Sequence, residues 1–111
     1  MKDKNITNSS EIKTREECGV EKTLKIMGSK WTTLILHNLF DDKKRFGQLQ
    51  HSMPGISPKT LSERLHELEN EKIITRKVFP EIPLHVEYTL TEKGKSLGEI
   101  FLKMSEWGEK H

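Results

Sequence analysis

Four polar side chains lie just after a Pro54-Gly55 break, at a spacing typical of the first turns of a helix. They are Ser57, Lys59, Thr60 and Glu63. Lysine can donate to guanine O6 or N7, hydroxyl groups are adaptable, and a glutamate can accept a hydrogen bond from the cytosine amino group. The four side chains therefore have the chemistry to contact the base edges of double-stranded DNA. The alternative is an ordinary solvated helix face that carries ion pairs.

Cationic residues flank this segment and have the chemistry to contact the phosphates of a DNA backbone. They are Lys43, Lys44, Arg45, Arg64, Arg76, Lys77 and His85. Two features weaken this interpretation. Glu81 would repel a phosphate close to His85, and the lysines at 43 and 44 could simply offset the two aspartates before them in a polar turn.

The predicted base-contact residues need a helix with a buried back. Ser57 is a good N-cap and Pro58 suits the first helical position, so a helix is predicted from there to about Glu71. Its leucines at 61, 65 and 68 form an apolar stripe. Steps of about 100° per residue then turn positions 59 and 63 to the opposite side.

Other elements are predicted on both sides of this helix. Apolar spacing at 46, 49 and 53 indicates a short helix before it, with Ile56 as an apolar plug between the two. Residues 73–79 are β-rich, and alternation at 86, 88 and 90 indicates a return strand around a tip that contains two prolines. Two helices and a hairpin in this order predict a winged helix-turn-helix, which binds DNA with the second helix in the major groove.

The ends of the domain are predicted to be helical. A first helix with apolar residues at 20, 24 and 27 ends at Gly28, and Ser29 caps the next helix. The apolar face of that second helix is predicted to be Trp31, Leu34, Ile35 and Leu39. A polar turn is predicted at 41–44, and Thr91 caps a final helix. The fold class is therefore mainly α with a small β-hairpin (α+β), with residues 1–13 as a flexible tail and 14–111 as one domain.

The composition favours a second subunit. Only 32% of the 111 residues are hydrophobic and 32% are charged, so one chain has a thin core. We predict a dimer interface between terminal helices, formed by Val20, Leu24, Met27, Leu97, Phe101, Met104 and Trp107. The alternative is that the stripe of the last helix closes the core of its own chain.

Other classes of function find little support. The five histidines lack metal-ligand spacing, no Gly-rich phosphate loop is present, and no local signature arranges a catalytic triad, so we expect no metal, no cofactor and no enzyme activity. Apolar runs fall short of the roughly 20 residues of a membrane span. The N-terminus lacks the apolar core of a secretion signal, and a single cysteine suits a reducing cytoplasm.

Several short motifs resemble the HxlR-type transcriptional regulators over about residues 16–109. They are Cys18–Leu24, Gly28–Trp31, Arg45–Leu49, Pro54–Ser57, Leu61–Leu65, Pro80–Pro83, Val86–Thr91 and Gly94. The resemblance implies a homodimeric winged-helix regulator of bacterial transcription, joined through its terminal helices. Two alternatives stay open: a winged-helix module that binds protein, and a regulator that answers to an unknown small ligand at the dimer seam.

Cys18 precedes the first predicted helix and is a candidate redox sensor. Helix N-terminal N–H groups favour a thiolate, whereas the nearby carboxylates of Glu16, Glu17 and Glu21 disfavour it. The resemblance implies sensing of oxidants or electrophiles, because some family members use a cysteine at this position. The alternative is a small, partly buried apolar residue near the dimer seam.

Overall fold

A computed structural model describes residues 18–111, and the predicted tail at 1–13 lies outside them. The elements are α1 (Gly19–Met27), α2 (Lys30–Asp41), β1 (Lys44–Arg45), α3 (Phe46–Ser52), α4 (Pro58–Asn70), β2 (Ile74–Phe79), β3 (His85–Leu90) and α5 (Glu92–Lys110). Each predicted helix is present, and the final helix begins directly after its predicted cap at Thr91. No helix in this part of the chain has the length and apolar composition that a bilayer span requires.

Side-chain caps start three of the helices as predicted. The backbone N–H groups of Thr32, Thr60 and Gly94 donate to the side-chain oxygens of Ser29, Ser57 and Thr91. Each cap satisfies one of the backbone donors that a helix start leaves without a partner. These three residues therefore fix where α2, α4 and α5 begin.

The core is built around the leucine stripe of α4. Leu61, Leu65 and Leu68 are buried, and Leu49 of α3 and Ile35 of α2 are buried in the same cluster. Ile56 is also buried between α3 and α4, as predicted for the plug. The stripe therefore anchors α4 to the rest of the domain along its whole length.

The predicted apolar face of α2 was wrong at one position. Leu34 is 38% exposed, whereas Leu36 is buried together with Ile35 and Leu39. An apolar face with Leu34 and one with Leu36 both satisfy a helical period. The position of the neighbouring helices decides which of the two residues is buried. The core face of α2 is therefore rotated by part of a turn from the predicted face.

A third strand was missed by the sequence prediction. Residues 44 and 45 pair with β3 rather than completing a polar turn, with Lys44 opposite Tyr88 and Arg45 opposite Glu87. The sheet is antiparallel in the order β1-β3-β2. Two charged residues give no apolar alternation, so nothing local marks them as a strand. They pair because β3 would otherwise have an open edge beside α3.

The helix α5 approaches its neighbours through two glycines. A Cβ at Gly94 would overlap the backbone carbonyl of Ile73, and a Cβ at Gly98 would overlap the ring of Phe40. The first neighbour is backbone held by a hydrogen bond from Thr91 N–H to the Ile73 carbonyl. The second is the side chain of Phe40, which is 42% exposed.

This difference predicts graded effects of alanine at the glycines of α5. Gly94→Ala should lower the free energy of unfolding by about 2–3 kcal/mol, and Gly98→Ala by about 1 kcal/mol, since overpacking against backbone is relieved less easily. Gly108→Ala, with nothing within 4 Å of the added Cβ, should stabilise by roughly 0.5 kcal/mol. Urea unfolding of the three variants measures the order, and equal effects at 94 and 98 would contradict this packing.

Candidate nucleic-acid interface

The first two turns of α4 present the predicted base-contact residues. Ser57, Lys59 and Glu63 are exposed, and Thr60 is half-buried. The burial of the three leucines turns positions 59 and 63 outward, because they lie on the opposite side of the helix. The structure therefore places all four residues at the N-terminal end of α4, with Lys59 and Glu63 on its outward side.

The cap at the start of α4 limits what Ser57 can do. Its Oγ accepts from the backbone N–H of Thr60 at 3.1 Å and donates to Thr60 Oγ1 at 3.0 Å. The hydroxyl of Ser57 is therefore engaged in the cap. Lys59 and Glu63 are exposed charged groups at this end of the helix.

The second half of α4 faces the hairpin across a cleft. Ser62, His66 and Glu69 line one wall of the cleft, and Arg76 of β2 lines the other together with Tyr88. Arg76 pairs with Tyr88 in the sheet register and shares its face. Arg76 therefore lines the cleft from the hairpin side, opposite the residues of α4.

Arg64 lies away from the face formed by Lys59 and Glu63. Its Nη1 contacts both carboxylate oxygens of Glu67, at 3.1 and 3.2 Å, and its side chain is 29% exposed. It borders a small cavity with Gly28 and Ser29 of the α1–α2 connection. The structure thus places this predicted backbone contact on the flank of α4 that faces α1, where its ion pair and partial burial oppose contact with phosphate.

His85 is held inside the hairpin rather than displayed on it. Its two ring nitrogens lie 3.5 Å from Glu81 and 3.3 Å from Glu87, and its ring stacks on Phe79 at 4.6 Å. Only 15% of its side chain is exposed. Two carboxylates face its nitrogens, so His85 is a poor candidate for the phosphate contact predicted from the sequence.

The remaining cations lie at the base and along the strands of the hairpin. Lys77 is exposed, and its ammonium lies 5.0 Å from the ring centroid of Phe79. Lys43 and Arg45 are exposed, and Lys44 is half-buried. The backbone N–H of Arg45 donates to Gln48 Oε1 at 2.8 Å, which fixes the junction of β1 and α3. Pairing of β1 with β3 therefore carries the cations of 44 and 45 to the same sheet as Arg76 and Lys77.

The residues predicted for a dimer interface divide into two groups. Met27 and Leu97 are 9% and 7% exposed and belong to the core of the single chain, and Phe101 packs against that core. Four others are exposed on α1 and α5, namely Val20, Leu24, Met104 and Trp107. The alternative that the last stripe closes its own core is thus correct for Leu97 and in part for Phe101.

Cys18 lies at the N-cap position of α1 and is exposed. Its backbone N–H donates to the carboxylate of Glu21 at 3.4 Å, which places a negative charge within one turn of the thiol. Glu16 and Glu17 lie outside the described residues. Within residues 18–111, no three His, Cys, Asp or Glu side chains are grouped so that they could hold a metal ion.

One exposed feature was missed by the sequence prediction. Ile82 at the hairpin tip is fully exposed, and Leu84 and Val78 beside it are 65% and 43% exposed. A signal was present, because an isoleucine and a leucine stand in a segment otherwise read as a loop between two prolines. The sequence does not show whether the hairpin tip folds back onto the domain. In the structure it does not, so these apolar side chains are exposed.

The chain belongs to the HxlR-like helix-turn-helix family, whose model matches residues 26–111. The HTH-type transcriptional regulator YdeP of Bacillus subtilis (strain 168) is 44% identical over 96 residues, which cover 86% of this chain and 75% of YdeP. The family is one of winged-helix transcriptional regulators and not of enzymes.

Two solved structures are similar in both fold and sequence. The reduced form of the transcriptional regulator YodB from B. subtilis has 43% identity and a TM-score of 0.76, and the match covers 86% of this chain and 94% of that one. The redox regulator HypR in its oxidized form has 41% identity and a TM-score of 0.78, with 85% and 97% covered. Redox regulators are therefore among the structural neighbours of this protein.

Proposed function

We propose that the protein is a cytoplasmic homodimer that binds a pseudo-palindromic operator and regulates transcription. The observation that carries this proposal is the outward face of α4, where Lys59 and Glu63 are exposed while the leucines behind them are buried. The N-terminal residues of a recognition helix are the ones that reach base edges in the major groove. Membership of a helix-turn-helix regulator family supports the same interpretation.

The cations of the sheet would hold the duplex backbone on either side of that helix. Lys44 and Arg45 lie on β1, Arg76 and Lys77 lie on β2, and Lys43 directly precedes β1. Phosphate contacts of this kind set the register of a protein on DNA and make its affinity depend on salt. Lys59 and Glu63, with the half-buried Thr60, would then supply the discrimination between base pairs.

The exposed apolar residues of α1 and α5 support a homodimer. Ile100, Met104 and Trp107 recur at i, i+4 and i+7 on the outer side of α5, and Val20 and Leu24 recur at i and i+4 on α1. Large apolar side chains grouped in this way are typical of subunit contacts. A two-fold axis through them would set two copies of α4 about 34 Å apart, one helical turn of DNA.

We infer that Cys18 makes this regulator responsive to oxidants or electrophiles. The thiol is exposed at the start of α1, the helix that also carries two of the proposed dimer residues. The neighbours YodB and HypR are described in reduced and oxidised forms, which supports such a role for this chain. Because Cys18 is the sole cysteine of the 111 residues, a disulfide would join two subunits or a small thiol.

A small effector is a second candidate for the regulatory signal. An apolar groove of about 370 Å³ runs between α2 and α5, lined among others by Leu34, Phe40, Phe101 and Leu102. It adjoins the proposed dimer helix, so an apolar ligand there would contact residues on both α2 and α5. Its size is near the lower end for small-molecule sites.

The first prediction from this proposed function concerns DNA binding through α4. Fluorescence anisotropy with a random-sequence duplex at low salt should show binding with a steep salt dependence. Lys59→Gln should weaken binding and reduce the salt slope by about 1 if it contacts phosphate, or cost roughly 1–3 kcal/mol on the operator if it contacts a base. Lys110→Gln, at the far end of α5, is the matched control. Absence of duplex binding would favour the protein-interaction module instead.

The second prediction concerns the dimer. Met104→Glu places a charge in the exposed stripe of α5 and should yield monomers with weak operator binding, because a charge in an apolar interface lacks a partner. Lys95→Glu, on another side of the same helix, should leave the dimer intact. Sedimentation velocity measures both variants, and an unchanged dimer for Met104→Glu would contradict the proposed interface.

The third prediction concerns Cys18. Treatment with diamide or a quinone should change the DNA affinity of the wild-type protein and leave that of Cys18→Ser unchanged. Anisotropy before and after treatment measures the change, and reduction with dithiothreitol should reverse the diamide effect. An equal response of the two proteins would exclude the thiol as the sensor.

A further inference from the structure

A groove separates α1 from the second half of α4. Its volume is about 840 Å³, and its lining includes Thr23 and Ile26 of α1 and Leu68 of α4. A smaller cavity of about 210 Å³ lies at the α1–α2 connection and shares Ile26 and Glu67 with the groove. The two spaces are therefore adjacent, and together they are called the α1–α4 groove below.

The groove is open because α1 packs into the domain at one end. Met27, in the last turn, is the buried residue of this helix. At the other end, a Cβ added to Gly19 would meet nothing within 4 Å. The described residues leave this space unfilled, and its size lies within the range of small-molecule sites, roughly 300–1,000 Å³.

Arg64 carries an unsatisfied hydrogen-bond donor beside the smaller cavity. Its Nη1 contacts both carboxylate oxygens of Glu67, but its Nε is buried and has no hydrogen-bond partner within residues 18–111. A buried donor without a partner is unfavourable, and folded proteins rarely contain one. Arg64 lines the cavity together with Gly28 and Ser29. A small turn of the guanidinium toward that space would give Nε an acceptor when a ligand supplies one.

The charged groups around the groove favour an anion. They are the cations of Lys22, Lys25, Arg64 and Lys93 and the carboxylates of Glu67 and Glu71. The Glu67 carboxylate is already paired with Arg64. The Lys93 ammonium donates to the backbone carbonyl of Glu71 at 2.8 Å, which does not neutralise its charge. The N-terminal end of α2, at Ser29, also borders the smaller cavity with the positive end of its dipole.

We propose that the α1–α4 groove binds a small organic acid. Its carboxylate would lie in the smaller cavity and accept hydrogen bonds from Nε and Nη2, which share one edge of the Arg64 guanidinium. A planar carboxylate can meet such an edge with two parallel hydrogen bonds. The apolar body of the acid would extend along Ile26 and Leu68.

Such a ligand would contact α1 and α4 at the same time. Under the proposed DNA-binding function it would therefore be an effector, because α1 carries proposed dimer residues and α4 is the proposed recognition helix. The binding of the acid does not itself rest on that function. It is also distinct from the apolar groove between α2 and α5, which shares no lining residue with it.

The walls of the groove favour an organic acid over two other anions. A DNA duplex would carry a row of phosphates past the carboxylates of Glu67 and Glu71, whereas a small acid brings one anionic group to Arg64. An inorganic anion would leave Ile26 and Leu68 without an apolar partner. The position of the groove agrees with this choice, since it lies on the flank of α4 that faces α1 and not on the side of Lys59.

Hexanoate and its neutral analogue hexanamide test the site. They have the same apolar chain, and the carboxylate is present in hexanoate alone. In titrations at constant ionic strength, followed by two-dimensional ¹H–¹⁵N NMR, hexanoate should bind saturably with a Kd on the order of 1 mM. Hexanamide should bind about tenfold more weakly, because it lacks the charge. The amide signals of Gly19 and Gly28, which line the groove, should shift, whereas those of Gly47 and Gly108 should not.

Two variants change the proposed anion contacts. Arg64→Lys keeps the positive charge but loses the planar edge, and should weaken hexanoate binding about tenfold. Lys22→Glu reverses a charge on the exposed wall of α1 and should weaken it to a similar degree, so the test survives if Arg64→Lys does not fold. Lys103→Gln is the matched control, because this exposed lysine of α5 lies outside the groove, and its Kd should equal that of the wild type. Thermal melts check that each variant is folded.

The outcomes separate the site from the function proposed for the whole protein. Absence of saturable binding below roughly 10 mM hexanoate would overturn the site. Equal binding of hexanamide, the same glycine shifts with sulfate, or wild-type affinity in the folded variants would also overturn it. Hexanoate that binds at the groove but leaves duplex affinity unchanged in an anisotropy titration would overturn the effector role alone. A protein that binds hexanoate but no duplex would overturn the DNA-binding function and leave the site standing.

Discussion

The burial of three leucines on one side of α4 is the constraint on which the rest of the structure depends. Leu61, Leu65 and Leu68 fix the rotation of the helix about its axis, and the Ser57 cap with Ile56 fixes where it starts. Once both are set, the outward direction of positions 59 and 63 is no longer adjustable. A rotation that buried those charges would expose the leucines, at roughly 1.5–3 kcal/mol for each.

Local signals were sufficient for the parts of the fold that depend on one segment. The caps at Ser29, Ser57 and Thr91 and the leucine stripe were predicted correctly, because a cap or a stripe involves residues within a few positions of one another. The errors lie where the deciding partner is distant in sequence. The choice of Leu36 over Leu34 depends on the helices packed against α2, and the strand at 44–45 depends on β3, more than 40 residues later.

The residues of the candidate site also differ in how well the sequence predicted them. Exposure of Lys59 and Glu63 follows from the helical period, so the sequence located them. The prediction that His85 and Arg64 contact phosphate fits the structure less well. It considered the charge of each cation without the carboxylates that lie beside it in the fold. Glu81 and Glu87 face the ring of His85, and Glu67 pairs with Arg64 one turn along the same helix. Formal charge along a chain is thus a poor guide to where cations are displayed.

The packing of α1 links the two halves of the proposed function. Its outer side carries Val20 and Leu24, and its other side borders a groove whose opposite wall is the end of α4, at Glu67 and Leu68. Met27 ties the last turn of α1 into the core, whereas the first turn, with Cys18, is exposed. A modification at Cys18 would therefore act on the end of α1 that is least anchored. Under the proposed function, that end lies between the partner subunit and α4. A small displacement there would therefore affect both the dimer interface and the position of α4.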